Sequence, residues 1–317
     1  MSRLRVREVF GLSPLRARFS EAVIALRGDP STPPSQFDLT SLKQLTRLPG
    51  WKVWAGKRLY GRSVPISNLY NYEQPPPEEG WSVRVTNVRD FRGKGLTYDS
   101  HNGTDFVVPV GTRVVAAAPG RVLRISREFH RGGLKIFIDH GDGLVTSSNH
   151  LARAECRVGD VVHRGQVIAL SGYSGLDGFA TFPFGIPHVH YNVWLDGRYV
   201  DPFAPPGEVS LFLTGNAPTP YTGTAADARA ESLPEACWDP DAVEAALRAC
   251  RSPSSRADIE SADTDDTRAM SALFHLAYFP TRFEDPPASL YREVHGRKPR
   301  LDLPFRAADY DGIRFPD

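Results

Sequence analysis

Seven of the chain's nine histidines fall between His101 and His190, and two groupings there have ligand-like spacing. His101-Asn102-Gly103-Thr104-Asp105 sets an imidazole and a carboxylate four positions apart, and His188-Val189-His190 sets two imidazoles two apart. Side chains at even separations share one face of an extended strand. Both pairs can therefore meet at one point if their strands are neighbours. Two neutral imidazoles, one carboxylate and an open fourth position form the donor set of catalytic zinc, whereas closed structural sites recruit cysteine. The three cysteines, at 156, 237 and 250, show no metal-ligand spacing. Gly103 permits close backbone approach, and Pro187 fixes the entry to the second grouping.

These residues need strands to position them, and the surrounding sequence supplies strand signals. From about Thr97 to Pro206, short β-rich runs recur between glycines: Val114-Val115, Val122-Leu123-Arg124-Ile125, Ile136-Phe137-Ile138, Val161-Val162, Val167-Ile168-Ala169-Leu170 and Tyr191-Asn192-Val193-Trp194. Glycine-punctuated runs at this spacing predict an antiparallel sandwich or barrel. The stretch from Gly111 to Val122 resembles that from Gly159 to Val167, which suggests two hairpins stacked alike.

The flanks read differently. Ser13 and Pro14 predict the start of a helix with apolar Leu15, Phe19, Val23 and Leu26, stopped by Gly28. Its apolar run, Ala22 to Leu26, falls short of the roughly 7–15 residues of a secretory leader. A second helix is expected over Thr40 to Leu48, and Pro75 to Gly80 reads as a spacer lying over a surface. Near the C-terminus, Asp239-Pro240 starts a helix running to about Cys250. Thr264 caps another, whose Met270, Leu273, Phe274, Ala277 and Tyr278 form one apolar face. Residues 251 to 263 read as a mobile loop. The formal charge of +1, from 38 basic and 37 acidic residues, offers no basic footprint for nucleic acid. No window of the chain approaches the 18 apolar residues of a membrane span.

The central segment resembles the lysostaphin/LytM-type zinc endopeptidases, which cut peptide cross-links of bacterial peptidoglycan. The resemblance rests on an ordered series. It begins with His101-x-Gly103-x-Asp105 and Pro109-x-Gly111-Thr112-x-Val114, then Ile138-Asp139-His140-Gly141-x-Gly143 and His150-Leu151. It closes with Val158-Gly159-Asp160 through Gly165-Gln166, Gly172-x-x-Gly175, His188-x-His190 and Asp201-Pro202. The resemblance implies His101, Asp105 and His190 as ligands of one zinc ion. It implies His150 and His188 as the pair that transfers protons and stabilises the oxyanion, with their division of labour left open. Four departures stand out: Ser148 replaces the aromatic two before His150, Asp99 replaces a basic residue, Asn192 replaces an acid, and Leu176 to Phe184 lengthen a loop bordering the site. Three phenylalanines in that loop, Phe179, Phe182 and Phe184, suit either loop packing or substrate contact. His140 reads as structural, His130 and His163 as solvated, and His275 as lying off the apolar face of its helix. Cys237 and Cys250 could pair or stay apart.

The expected architecture is mainly β. An antiparallel sandwich or barrel-like catalytic domain spans residues 96–206, between a mixed region over 1–95 and a linker with helices over 207–317. The expected activity is zinc-dependent hydrolysis of peptide bonds in peptidoglycan or a related peptide. Two alternatives are a zinc-containing homologue that binds wall peptides without cutting them, and a delivered antibacterial effector using the same chemistry. The resemblance implies a periplasmic or extracellular site of action, although residues 1–28 do not read as a leader.

Overall fold

The computed structural model describes residues 3–44, 49–233 and 235–316. The N-terminal part carries helices α1 (Val6–Val9), α2 (Leu15–Arg27) and α3 (Gly50–Trp54), and strands β1 (Ser63–Asn68), β2 (Val85–Arg89) and β3 (Leu96–Tyr98). The central segment holds β4 (Thr104–Val107), β5 (Arg113–Val115), β6 (Gly120–Ser126), β7 (Leu134–Asp139), β8 (Leu144–Ala154), β9 (Val161–Val162) and β10 (Val167–Ser171). It ends with α4 (Leu176–Thr181), β11 (His188–Leu195) and β12 (Arg198–Tyr199). Helices α5 (Ala225–Ala230), α6 (Pro240–Ala249), α7 (Pro253–Glu260) and α8 (Asp265–Tyr278) follow, then β13 (Gly312–Arg314).

Eleven strands form one sheet in the order β13-β1-β4-β11-β8-β7-β6-β9, with β10 joining β5 to β8 and β12 beside β11. All neighbours are antiparallel except β1 and β13. The mainly-β expectation holds; the sheet is an open path rather than a closed barrel. The two similar glycine-led stretches pair with each other, β5 with β10 and β6 with β9.

Alternation along the strands assigns each side chain to one of two cores. Val122, Ile136, Ile138, Leu144 and Val193 enter one core, completed by Phe203, Phe212, Leu301 and Phe305 from the following chain. Their neighbours Leu123, Phe137, Val145 and Trp194 enter the other, completed by α6 and α8. This explains why every residue of β7 is buried: both faces are covered. Each large apolar side chain so buried contributes about 1.5–3 kcal/mol. In α8, Met270, Leu273, Phe274 and Tyr278 face this second core as their spacing predicted. Thr264 caps the helix, its hydroxyl accepting from Thr267 N–H.

Several local readings are corrected. Helix α2 starts after Pro14, without a side-chain cap from Ser13. Its supposed core face is solvent-facing, with Phe19 73% exposed, and only Ala25 is buried. A 3-10 turn over Leu39–Gln44 replaces the first part of the helix expected at Thr40 to Leu48; residues 45–48 lie outside the described residues. The expected loop over 251 to 263 contains α7. Ser252 caps it, Pro253 opens it, and Ile259 anchors it in the helical core. His275 is buried against Asp258, 2.8 Å away, and His130 is buried as well. Cys237 and Cys250 are both free thiols.

Candidate active site

Strands β1, β4, β11 and β8 bring the candidate residues into register. Asp105 of β4 lies opposite His190 of β11 and Asn68 of β1, and His190 lies opposite Asn149 of β8. By alternation His188, His190, Asn192 and Trp194 share the face that carries α8, while Val189, Tyr191 and Val193 enter the opposite core. A bulge in β1 between Ile66 and Asn68 brings Asn68 opposite Asp105, and its Nδ2 donates to Asp105 Oδ2 at 2.7 Å.

His101, Asp105 and His190 converge. His101 Nε2 is 3.1 Å from Asp105 Oδ1 and 3.2 Å from His190 Nδ1, and His190 Nδ1 is 2.8 Å from the same carboxylate oxygen. Ligand atoms of all three lie within 4.8 Å of one another. The His101 tautomer is set by Leu69: Nδ1–H donates to its carbonyl at 2.6 Å, which leaves a lone pair on Nε2 of the neutral ring. That lone pair faces a carboxylate oxygen. Such a meeting of acceptors suits a cation between them, and the nitrogen and oxygen donors suit zinc. On the outer side, His190 Nε2 lies 3.2 Å from Asn102 Oδ1 and 2.9 Å from Asn192 Nδ2, while Nδ1 faces inward.

His150 and His188 line the same hollow. Each is oriented by a backbone carbonyl: His150 Nδ1–H donates to Ser174 O and His188 Nδ1–H to Ile186 O, both at 2.8 Å. Both rings therefore keep Nε2 for other partners, and their centroids are 4.8 Å apart. Plain alternation places His150 on the wrong face, opposite Asn149. Its backbone solves this by adopting φ 59° at a register shift between β7 and β8. A non-glycine residue held there stores about 1–3 kcal/mol of strain, a pattern concentrated at functional sites.

Burial and charge oppose each other in this cluster. Burial works to raise the Asp105 carboxyl, but the imidazoles of His101 and His188, with hydrogen bonds from His101 and His190, hold it well below the ordinary carboxylate range. Burial depresses His190 to about 4, and it depresses His188 as well.

Residues 99–202 match the family described as Peptidase family M23. The chain is thus similar to that family over about a third of its length. It is 34% identical over 102 residues to an "Uncharacterized metalloprotease" of Haemophilus influenzae, covering 32% of this chain and 20% of that protein. It is 37% identical over 102 residues to "Peptidoglycan DD-endopeptidase ShyA" of Vibrio cholerae, covering 32% and 22%. To "Lysostaphin" of Staphylococcus simulans it is 30% identical over 136 residues, covering 41% and 26%. The matches thus span about a quarter or less of those relatives' own lengths. Among solved structures, the lysostaphin catalytic domain is 25% identical with a TM-score of 0.30, covering 42% of this chain and 86% of that one.

The sequence also placed side chains in the matched segment whose surroundings it did not show. Gly103 is required by space: a Cβ there would lie 2.6 Å from Tyr191 O and 2.9 Å from His190 Nε2. Asp99 is paired with Arg84, whose Nε is 3.0 Å away. Asn192 is a hub: its Nδ2 donates to Asn102 Oδ1 at 2.8 Å, and its Oδ1 accepts from Asn149 Nδ2 at 2.8 Å and from the Tyr278 hydroxyl at 3.1 Å. In the lengthened loop, Asp177 and Thr181 line the hollow rather than the three phenylalanines. Phe179 and Phe182 pack edge-on against Phe10, and Phe182 also against Trp54. His140 is structural as expected, bonded to Pro119 O and Thr146 Oγ1.

The sequence reading missed Asn68, Trp81 and Tyr278, which lie outside residues 99–202 and border the site. No local pattern marks them; only the packing of distant segments brings them there.

Proposed function

We propose that this chain is a zinc metalloendopeptidase hydrolysing peptide bonds, with peptidoglycan cross-links as its substrate. The observation that carries the reading is the convergence of His101 Nε2, Asp105 Oδ1 and His190 Nδ1 beside two further imidazoles that each keep Nε2 available. These three residues would hold the ion. When bound, zinc supplies Lewis-acid polarisation of a carbonyl and a water nucleophilic at neutral pH.

The chain's own residues supply the proton traffic. His150 takes a proton at Nε2 and later returns it to the leaving amine. Asp177 Oδ2, 3.4 Å from that nitrogen, stabilises the imidazolium and favours His150 in this part. To donate to the developing oxyanion, His188 must carry protons on both ring nitrogens; burial opposes that form, and Asp105, 3.6 Å from Nε2, favours it. The names of relatives such as the DD-endopeptidase ShyA support peptidoglycan as the substrate class.

The test is incubation of purified protein with cross-linked muropeptides, with and without a chelator, with products read by mass. Cleavage that stops on chelation, returns with zinc and is lost together with the metal in His101→Ala or His190→Ala is expected. Cleavage indifferent to chelator refutes the reading. Zinc retained with no hydrolysis of any muropeptide favours the non-cutting, peptide-binding alternative.

A further inference from the structure

From His150 and His190 an open cleft runs between Trp81 and the C-terminal end of α8. It shares Arg131 and Tyr278 with a second open hollow, walled by Pro75–Pro77 and Phe279. Arg131 is the cation of this cleft. Its Nη1 donates to Tyr278 O at 2.8 Å, and its Nε is buried without a partner. Among the described residues no carboxylate pairs with it or with the neighbouring Arg282, whereas Arg124 and Arg164, also partly buried, are paired. Arg124 meets Asp258 at 2.8 Å, and Arg164 meets Glu231 at 2.8 Å and Asp302 at 3.0 Å.

The surroundings add positive charge, partly offset by the Asp29 carboxylate, which acts on His130 and Arg282. The Phe279 ring has Arg282 3.9 Å from its centre and Arg131 5.6 Å from it, with the His130 ring 5.7 Å away. His130 is buried, and its Nε2 also lacks a partner. Burial first, then the charges of Arg131 and Arg282, depress His130 to about 3, so it stays neutral. The acid of the cleft, Asp177, is turned to His150. A cation withdrawn from water without a counter-ion is costly unless a ligand completes it.

We propose that Arg131, with the unpartnered His130 beside it, is a subsite for a carboxylate of the bound peptide, away from the bond that is cut. A guanidinium discriminates a carboxylate from its amide by charge as well as by hydrogen bonding. The ligand class is therefore a peptide with a free side-chain or terminal carboxylate lying along the cleft. This rests on the peptide-hydrolase reading of the neighbouring site.

The test uses the zinc-loaded full chain and two probes, a cross-linked muropeptide dimer with free carboxylates and the same dimer amidated. Calorimetry gives both affinities, and mass analysis gives cleavage. The wild type is expected to bind the acid form about 10- to 100-fold more tightly. Arg131→Gln should bring that ratio below about twofold, and Arg131→Lys, which keeps the charge but loses the planar fork, should give an intermediate ratio. Equal binding of both probes by the wild type, or an unchanged ratio in either folded variant, overturns the subsite. Acid preference without cleavage refutes the peptidase reading alone; cleavage without preference refutes the subsite alone.

Discussion

Replacing Asn192 by alanine tests how the candidate metal ligand His190 is held. The Asn192 side chain is fully buried. Nδ2 donates to Asn102 O at 2.9 Å and to Asn102 Oδ1 at 2.8 Å, while Oδ1 accepts from Asn149 and Tyr278. Losing four such bonds, each worth about 0.5–1.5 kcal/mol net, should destabilise Asn192→Ala by roughly 2–4 kcal/mol once the gap partly relaxes. Asn192 Nδ2 also lies 2.9 Å from His190 Nε2, and Asn102 Oδ1, which faces the same nitrogen, loses its fixing partner in the same step. Partners in this outer position typically govern metal affinity by about 10- to 100-fold. Tyr278→Phe, one bond further out, leaves the Asn149–Asn192 bond in place and should weaken zinc by less than tenfold. Zinc affinity is measured by chelator competition and stability by urea unfolding. Val193→Ala, buried in the opposite core, serves as the control that lowers stability without touching the network. A folded Asn192→Ala that holds zinc as tightly as the wild type refutes the argument.

Two further outcomes follow from the same geometry. His150→Ala should keep its zinc but lose about 10²–10⁴ in kcat, the usual share of a positioned proton-transfer group, read on a fixed muropeptide. Metal loss in that variant would instead make His150 a ligand. His140 concerns stability: burial depresses it to about 3, so the folded chain keeps it neutral where the unfolded chain takes up a proton. Its contribution is complete above about 6.5 and is lost as pH falls from there toward 3, with a slope of up to about 1.4 kcal/mol per pH unit. His140→Gln should reduce the acid-side slope of urea stability by one proton, and an unchanged slope would show that His140 is protonated in the fold.

The candidate ligands were legible because their chemistry and spacing are local. Two residues apart on one strand, or four apart around a glycine, they need only neighbouring strands to meet, and the glycine-punctuated runs predicted those strands. Helix α8 was legible for the same reason, since its apolar face and cap lie within 15 residues. What failed was long-range. His130 and His275 stand beside polar sequence, yet Phe279 and Asp258 cover them. Helix α7 is polar along most of its length and is fixed by the burial of Ile259. The apolar side of α2 looked like a core face, but little packs on it. Asn68, Tyr278 and Arg131 reach the site through pairings that no single window of sequence contains.

The ends of the main sheet path bear on how a peptide can approach. At one end the outermost strand is β13, with three residues, and at the other it is β9, with two. Short outer strands offer few free backbone groups, which guards against another chain adding itself to the sheet. The same brevity means that an extended peptide gains little by pairing along these ends. A peptide substrate of the kind proposed would be better received in the cleft beside the histidines and Arg131.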